Sequence, residues 1–131
     1  MSEHRARCAC GAVTLVCEGD PIRTSACHCR NCQGRSGSAF SAQARFPGDA
    51  VTITGETRDF RRTGDEGGVG TFRFCPSCGV TCWYSISAEP GVVAVPIGLF
   101  ADPHALPRPS YSVYESRKWA WVSVEAAEHY G

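Results

Sequence analysis

The stretch Arg73-Phe74-Cys75-Pro76-Ser77-Cys78-Gly79 decides how the rest of the chain is read. Two cysteines three positions apart on a proline-containing turn converge their sulfurs, and Gly79 relieves crowding after the second. Paired thiolates of this kind suit zinc, which takes four ligands in a tetrahedron at about 2.3 Å. The turn supplies two of the four, so two more must come from elsewhere. Cys8-Ala9-Cys10 offers them. On an extended segment residues i and i+2 point to one face, so Cys8 and Cys10 grip one ion from one side. Cys8, Cys10, Cys75 and Cys78 then form a closed structural site. Such a site staples the N-terminal segment to the middle of the chain and contributes folding free energy directly.

A third cluster, Cys27-His28-Cys29-Arg30-Asn31-Cys32, brings the clustered cysteines to seven of the chain's nine. Three thiolates leave one tetrahedral position vacant, the mark of a catalytic zinc. The competing reading is a second closed site, with Cys17, Cys82 or His28 as fourth ligand. His28 sits between two proposed ligands, so on a strand it points away from the metal. Cys17 continues the face of Val13 and Leu15 as a small core residue, and Cys82, in Val80-Thr81-Cys82-Trp83, reads the same way. His4, His104 and His129 have no motif around them. A three-thiolate site with an exposed edge can also lose its metal or oxidise, so the second zinc site need not be full.

Composition narrows the class. The chain's 131 residues fit one domain, 1–131, and bury roughly two-thirds of the unfolded surface. Acidic and basic residues balance at 13 each, the basic ones being 12 Arg and one Lys. A neutral chain has no global attraction for nucleic acid or an anionic membrane. The only local basic excess, Arg58, Arg61, Arg62 and Arg73, is interrupted by Asp59. The polar N-terminus has no apolar signal segment after it, and no run approaches a membrane span. A cytoplasmic protein is expected, in which clustered cysteines stay reduced and act as ligands.

Short alternating runs between Gly and Pro turns predict strands over Ala12–Cys17, Ile22–Cys29, Ser38–Phe46, Val51–Thr54, Asp59–Arg62, Thr71–Phe74, Val80–Ile86, Val92–Ile97, Tyr111–Tyr114 and Trp121–Val124. This pattern argues an all-β fold. One helical turn is expected within Arg30–Gly37 and another within Glu115–Ala120. The Gly-rich stretch 64–68 reads as a hairpin loop, with an active-site lid as the alternative. Trp83, Trp119 and Trp121 are expected to pack in the core, and the oligomeric state is open.

Taken together, the motifs resemble a known family. Cys8-Ala9-Cys10-Gly11-Ala12-Val13, Cys27-His28-Cys29-Arg30-Asn31-Cys32 with Gly37-Ser38, and Arg73 to Gly79 are similar to the three cysteine strings of the glutathione-dependent formaldehyde-activating enzymes, a family that includes centromere-protein-V-like proteins. Gly98 to Pro103 and Pro107 to Trp119 resemble its closing segments, so the likeness spans about residues 6–121. The sequence departs from the pattern at Cys82 and at Ala101-Asp102-Pro103. The resemblance implies an all-β, Mss4-like fold of small packed sheets. It also implies a structural zinc on Cys8, Cys10, Cys75 and Cys78, and a second zinc on Cys27, Cys29 and Cys32. The implied activity is that of a carbon–sulfur lyase with glutathione and formaldehyde as substrates.

The expected function is therefore a zinc-dependent carbon–sulfur lyase acting on thiol adducts of aldehydes, such as S-(hydroxymethyl)glutathione. Zinc held by three thiolates carries net negative charge and is a poor Lewis acid, which favours holding a sulfur nucleophile over activating water. Glutathione has two carboxylates, and Arg30, Arg35 and Arg73 stand nearest the motifs as clamps. The alternatives are a non-catalytic zinc- or glutathione-binding or protein-interaction module, and a zinc-ribbon-like nucleic-acid binder. The neutral charge counts against the last.

Overall fold

A computed structural model of the chain describes residues 2–64 and 66–131; Asp65, inside the expected hairpin loop, lies outside the described residues. Strands β1 (Glu3–Arg7), β2 (Thr14–Glu18) and β5 (Val51–Thr54) make a three-stranded antiparallel sheet in the order β1-β2-β5. The larger sheet holds β3 (Arg23–Cys27), β4 (Ser41–Pro47), β6 (Arg58–Thr63), β7 (Val69–Phe74), β8 (Thr81–Ile86), β9 (Val92–Pro96), β10 (Tyr111–Val113) and β11 (Glu128–His129). Its order is β11-β10-β3-β4-β9-β8-β7-β6. One α-helix, α1 (Arg30–Ser36), follows β3 and ends on Gly37 in the left-handed conformation. No helix among the described residues is long and apolar enough to cross a membrane. The all-β, small-packed-sheet expectation holds.

The core lies between the two sheets. Leu15 and Cys17 of β2, with Val13 just before it, meet Ala44 and Phe46 of β4, Val93 and Val95 of β9, and Phe100. Ala44 pairs with Val95 and Phe46 with Val93, so one face of the β4–β9 ladder is continuously apolar. Alternation puts the neighbouring residues of β3 and β4 on the opposite face. There Arg23 pairs with Arg45, Ser25 with Gln43 and Cys27 with Ser41. That polar face is the floor of the site described below.

Several expectations need correction. Trp121–Val124 is not a strand: Val122 N–H donates to the Trp119 carbonyl at 3.0 Å in a turn, and the edge of β10 is already taken by Glu128–His129. Trp119 and Trp121 are exposed rather than core residues, Trp121 at 75%. Trp83 does pack against the core. Strand β1 has too few apolar residues to signal itself, yet it buries His4 and Ala6 on its inner face. The turn within Arg30–Gly37 is a full α1, and that within Glu115–Ala120 is a 3-10 turn over Glu115–Arg117. The Gly-rich stretch joins antiparallel β6 and β7 as a hairpin loop, with Gly64 N–H donating to the Gly68 carbonyl at 2.7 Å.

Gly55 ends β5 at φ +111°, and a Cβ there would stand 2.2 Å from the Ala12 carbonyl oxygen. Because the obstacle is backbone, it cannot swing aside. Gly55→Ala is expected to destabilise the fold by more than ~1 kcal/mol, read as a lower denaturant midpoint with unchanged slope.

Candidate metal centres and an arginine-lined cavity

Two loops of the same build bring the first four thiols together. Cys8 N–H donates to the Val13 carbonyl at 3.0 Å, and Cys75 N–H donates to the Val80 carbonyl at 2.9 Å. Each loop closes on a glycine in the left-handed region, Gly11 at φ +80° and Gly79 at φ +78°. A register shift between Arg73 and Phe74 in the β7–β8 pair aims the second loop. The sulfurs of Cys8, Cys10, Cys75 and Cys78 all lie within 4.8 Å of one another. Two edges of the set, Cys8–Cys10 and Cys10–Cys75, measure 3.7 Å. A tetrahedron of sulfurs about 2.3 Å from zinc has edges of about 3.8 Å, so this set fits such an ion. A disulfide would need about 2.05 Å, and all nine cysteines are free.

The electrostatics agree with a cation-binding set. Burial opposes ionisation of Cys8, but the Val13 N–H and the thiols of Cys10, Cys78 and Cys75 outweigh it, pulling the pKa from 9.0 to about 6. Cys10 moves the other way: the Ala12 N–H favours its thiolate, yet Cys75 and the remaining neighbours drive it up to about 11. Four thiols this close cannot all ionise unless a cation neutralises them.

The second set is Cys27, Cys29 and Cys32, whose sulfurs also lie within 4.8 Å of one another. Cys27 is the last residue of β3. Cys29 caps α1, its sulfur accepting the Cys32 N–H at 3.3 Å. Cys32 follows in the first helical turn, so a strand end and a helix start converge on one point. The Cys29 and Cys32 thiols push Cys27 well above an ordinary thiol, and the same crowding, led by Cys27, pulls Cys32 well below.

Of the candidate fourth ligands, none joins this set among the described residues. His28 points away, as alternation requires, and is fully buried. Its Nε2 lies 2.9 Å from Ser112 Oγ, and its ring packs on Phe40. Cys17 is a core residue, its thiol raised to about 11 by burial. Cys82 is likewise buried beside the four-thiol set, and burial lifts it to about 12.

Cys27 and Cys32 open onto a cavity of about 760 Å³. Its floor is the polar face of β3 and β4. Rows continue across the sheet: Arg45 pairs with Ala94, Ala94 with Tyr84 and Tyr84 with Phe72. Ala94 is small enough for the Arg45 guanidinium to lie 5.9 Å from the Tyr84 ring centre. Arg35, on the last turn of α1, stands over both Phe72 and Tyr84, at 5.2 and 5.0 Å. Burial raises the Tyr84 hydroxyl to about 12, so it stays protonated. Tyr114 borders the cavity from a left-handed backbone, φ 55°, the only non-glycine so placed among the described residues.

Of the expected clamps, only Arg35 reaches the cavity. Arg30 donates to Gln33 Oε1, and Arg73 pairs with Asp59 at 2.6 Å while stacking on Trp83. Arg23, Arg45 and Glu89 were not singled out in the sequence, and none of them lies in a motif. Buried Gln33 had no signal. Its Nε2 donates to the carbonyls of His28 and Arg117 at 2.8 and 3.1 Å, holding the cysteine loop against the C-terminal segment.

The sequence family described as glutathione-dependent formaldehyde-activating enzyme matches residues 3–117. The chain belongs to this family. A crystal structure of a Rhodobacter sphaeroides protein shares its fold, with a TM-score of 0.57 at 19% identity over 72% of this chain and 85% of that one. No curated protein sequence matches the chain significantly.

Glu89 bonds Arg23 and lies 3.5 Å from Arg45 Nε. The Arg23 hydrogen bond, opposed by burial and helped by the charges of both arginines, holds its carboxyl below the ordinary 4.5. A lowered folded value means that the pair stabilises the fold above pH ~4.5 and that this contribution fades as pH falls through the lowered value. Denaturant stability of wild type and Glu89→Gln should therefore differ at neutral pH and converge under acid conditions.

Proposed function

We propose that this protein is a zinc-dependent carbon–sulfur lyase acting on thiol adducts of aldehydes, with S-(hydroxymethyl)glutathione as the type substrate. Zinc on Cys8, Cys10, Cys75 and Cys78 would serve the fold, and zinc on Cys27, Cys29 and Cys32 the chemistry. The observation that carries this reading is that the three-thiol set, not the four-thiol set, borders the arginine-lined cavity. Family membership supports the thiol chemistry.

A zinc ion in the second set would supply a vacant position at which a substrate sulfur is stabilised as thiolate. The chain's own residues do the rest. Arg35 brings positive charge near Cys32 and, held flat on two rings, has its N–H groups available for a carboxylate. Tyr84 offers a hydroxyl donor. Phe72, Ile86 and Val113 line apolar wall that limits water around the adduct. In the reaction the C–S bond breaks with its electron pair passing to sulfur, while the hydroxyl proton passes to solvent water as the C=O bond of formaldehyde forms. The nine free cysteines accord with a reducing cytoplasm.

The protein purified with its metal should carry two zinc ions per chain by atomic emission. Cys32→Ala should retain about one and keep its fold. It should lose more than about 100-fold of the lyase rate on S-(hydroxymethyl)glutathione after the uncatalysed rate is subtracted, since even residues behind a ligand cost 10–100-fold. Binding of glutathione without turnover in wild type would instead make the protein a carrier.

A further inference from the structure

The large sheet ends on β6, whose one strand neighbour is β7. The other edge of β6 is bare. Among the described residues no strand lies beside it, and no backbone hydrogen bond from a loop reaches it. All six residues of the strand are exposed, Phe60 at 54%. The strand contributes nothing to the arginine-lined cavity, so this edge stands apart from the thiol chemistry.

An unpaired edge invites another strand, and charged side chains limit which strands can join it. Here the unspent charges have one sign. Asp59, the one acid on the strand, is paired with Arg73. Arg58, Arg61 and Arg62 pair with no carboxylate among the described residues. Arg62 donates to the side-chain oxygen of Asn31. Alternation puts Arg58, Phe60 and Arg62 on one face and Asp59 and Arg61 on the other. Cations therefore flank the bare backbone on both faces, around one exposed aromatic ring. A second copy of the chain is the wrong occupant. Two β6 strands related by a two-fold axis pair antiparallel with like faces together, so the axis passes through a residue. At Arg58, Asp59, Arg61 or Arg62 it sets that residue against its own charge, and at Phe60 it sets Arg58 against Arg62. Each of these registers puts like charges opposite, which is destabilising. An acidic strand meets the reverse situation.

We propose that the outer edge of β6 is a docking site for an acidic, extended segment of another protein, which adds as a further strand to the large sheet. Main-chain hydrogen bonds along β6 supply the attachment, and side chains supply the choice of partner. In an antiparallel arrangement, acids opposite Arg58 and Arg62 on one face and Arg61 on the other set the register. An apolar residue opposite Phe60 covers its ring. Read against β6 from Arg62 back to Arg58, the partner's pattern is acid, acid, apolar, polar, acid.

The test uses the full chain with its metal and an end-blocked, fluorescent peptide, Thr-Glu-Glu-Val-Thr-Glu-Thr, with binding read by anisotropy at low salt. Wild type should bind this peptide. The same peptide with Gln for every Glu should bind at least about fivefold more weakly, the worth of three opposed charge pairs. The double variant Arg58→Glu, Arg61→Glu should lose at least as much. Backbone pairing is read separately by N-methylation, because alternate N–H groups of an added strand point to its neighbour. Methyl groups on one alternate set of residues should abolish binding, and those on the other set should spare it. Absence of binding, or equal binding of the Gln peptide, overturns the proposal. So does a like response to both methylated sets, which would mean attachment by charge without strand addition. Displacement of the peptide by a lower concentration of single-stranded oligonucleotide would assign the edge to nucleic acid instead. A dimer in sedimentation that the peptide dissociates would assign it to a second copy. Should the double variant fail to fold, the Gln and N-methyl peptides on wild type still decide.

Discussion

The two-residue period of the β3–β4 ladder is the constraint on which the rest of the structure depends. Successive side chains on a strand must point to opposite faces, and the register between the strands is antiparallel and unbroken from Arg23↔Arg45 to Cys27↔Ser41. One face therefore offers Ala44 and Phe46 to the core, and the other offers Arg23, Ser25, Cys27, Ser41, Gln43 and Arg45 to the cavity. A slip of one residue would exchange the faces, burying guanidinium groups against Phe100 and turning Phe46 into the site. The core thus fixes the position of the site's floor. This accounts for a polar, partly charged surface persisting in the middle of an eight-stranded sheet.

A second constraint acts through crowding. Thiolates at 3.7 Å repel, and thiols that near one another split in acidity, as Cys8 and Cys10 do. A divalent cation removes the conflict. The two cysteine sets meet it in different surroundings. Cys8 and Cys75 are wholly buried and belong to the same apolar cluster as Leu15 and Phe46, so the four-thiol set sits at the seam between the sheets. The three-thiol set stands at the joint of β3 and α1, braced from behind by Gln33 and by His28 on Ser112, and opens forward onto the cavity. The closed set suits a structural role, and the open one has room for a ligand.

Much of this was legible because it is local. Cysteine spacing needs only a turn or a strand to bring two or three sulfurs together, so the three clusters could be read from short strings, and zinc's need for four ligands joined the two pairs. Alternation over Ser38–Phe46 and the short apolar run Val92–Ile97 likewise exposed the strands found at Ser41–Pro47 and Val92–Pro96. What escaped depended on partners far along the chain. Glu89 is 66 residues from Arg23, and neither carries a motif. Arg73 borders the cysteine knuckle yet spends its charge on Asp59 and its face on Trp83. Trp119 and Trp121 look like core residues by size, but the sheet edge beside them was already paired, and they stayed at the surface.

The amino-acid sequence by itself determined that seven cysteines divide into a group of four and a group of three, and that short strands carry them, because spacing and alternation act over a few residues. Only the tertiary structure decided which thiols face a cavity, which arginines share it and which residue holds those arginines in place. These depend on sheet order and register, β10-β3-β4-β9-β8-β7, in which neighbours in space lie far apart in the chain, as His28 and Ser112 do across 84 residues. No local signal encodes such pairings; they follow from burying one face of the large sheet against the small one.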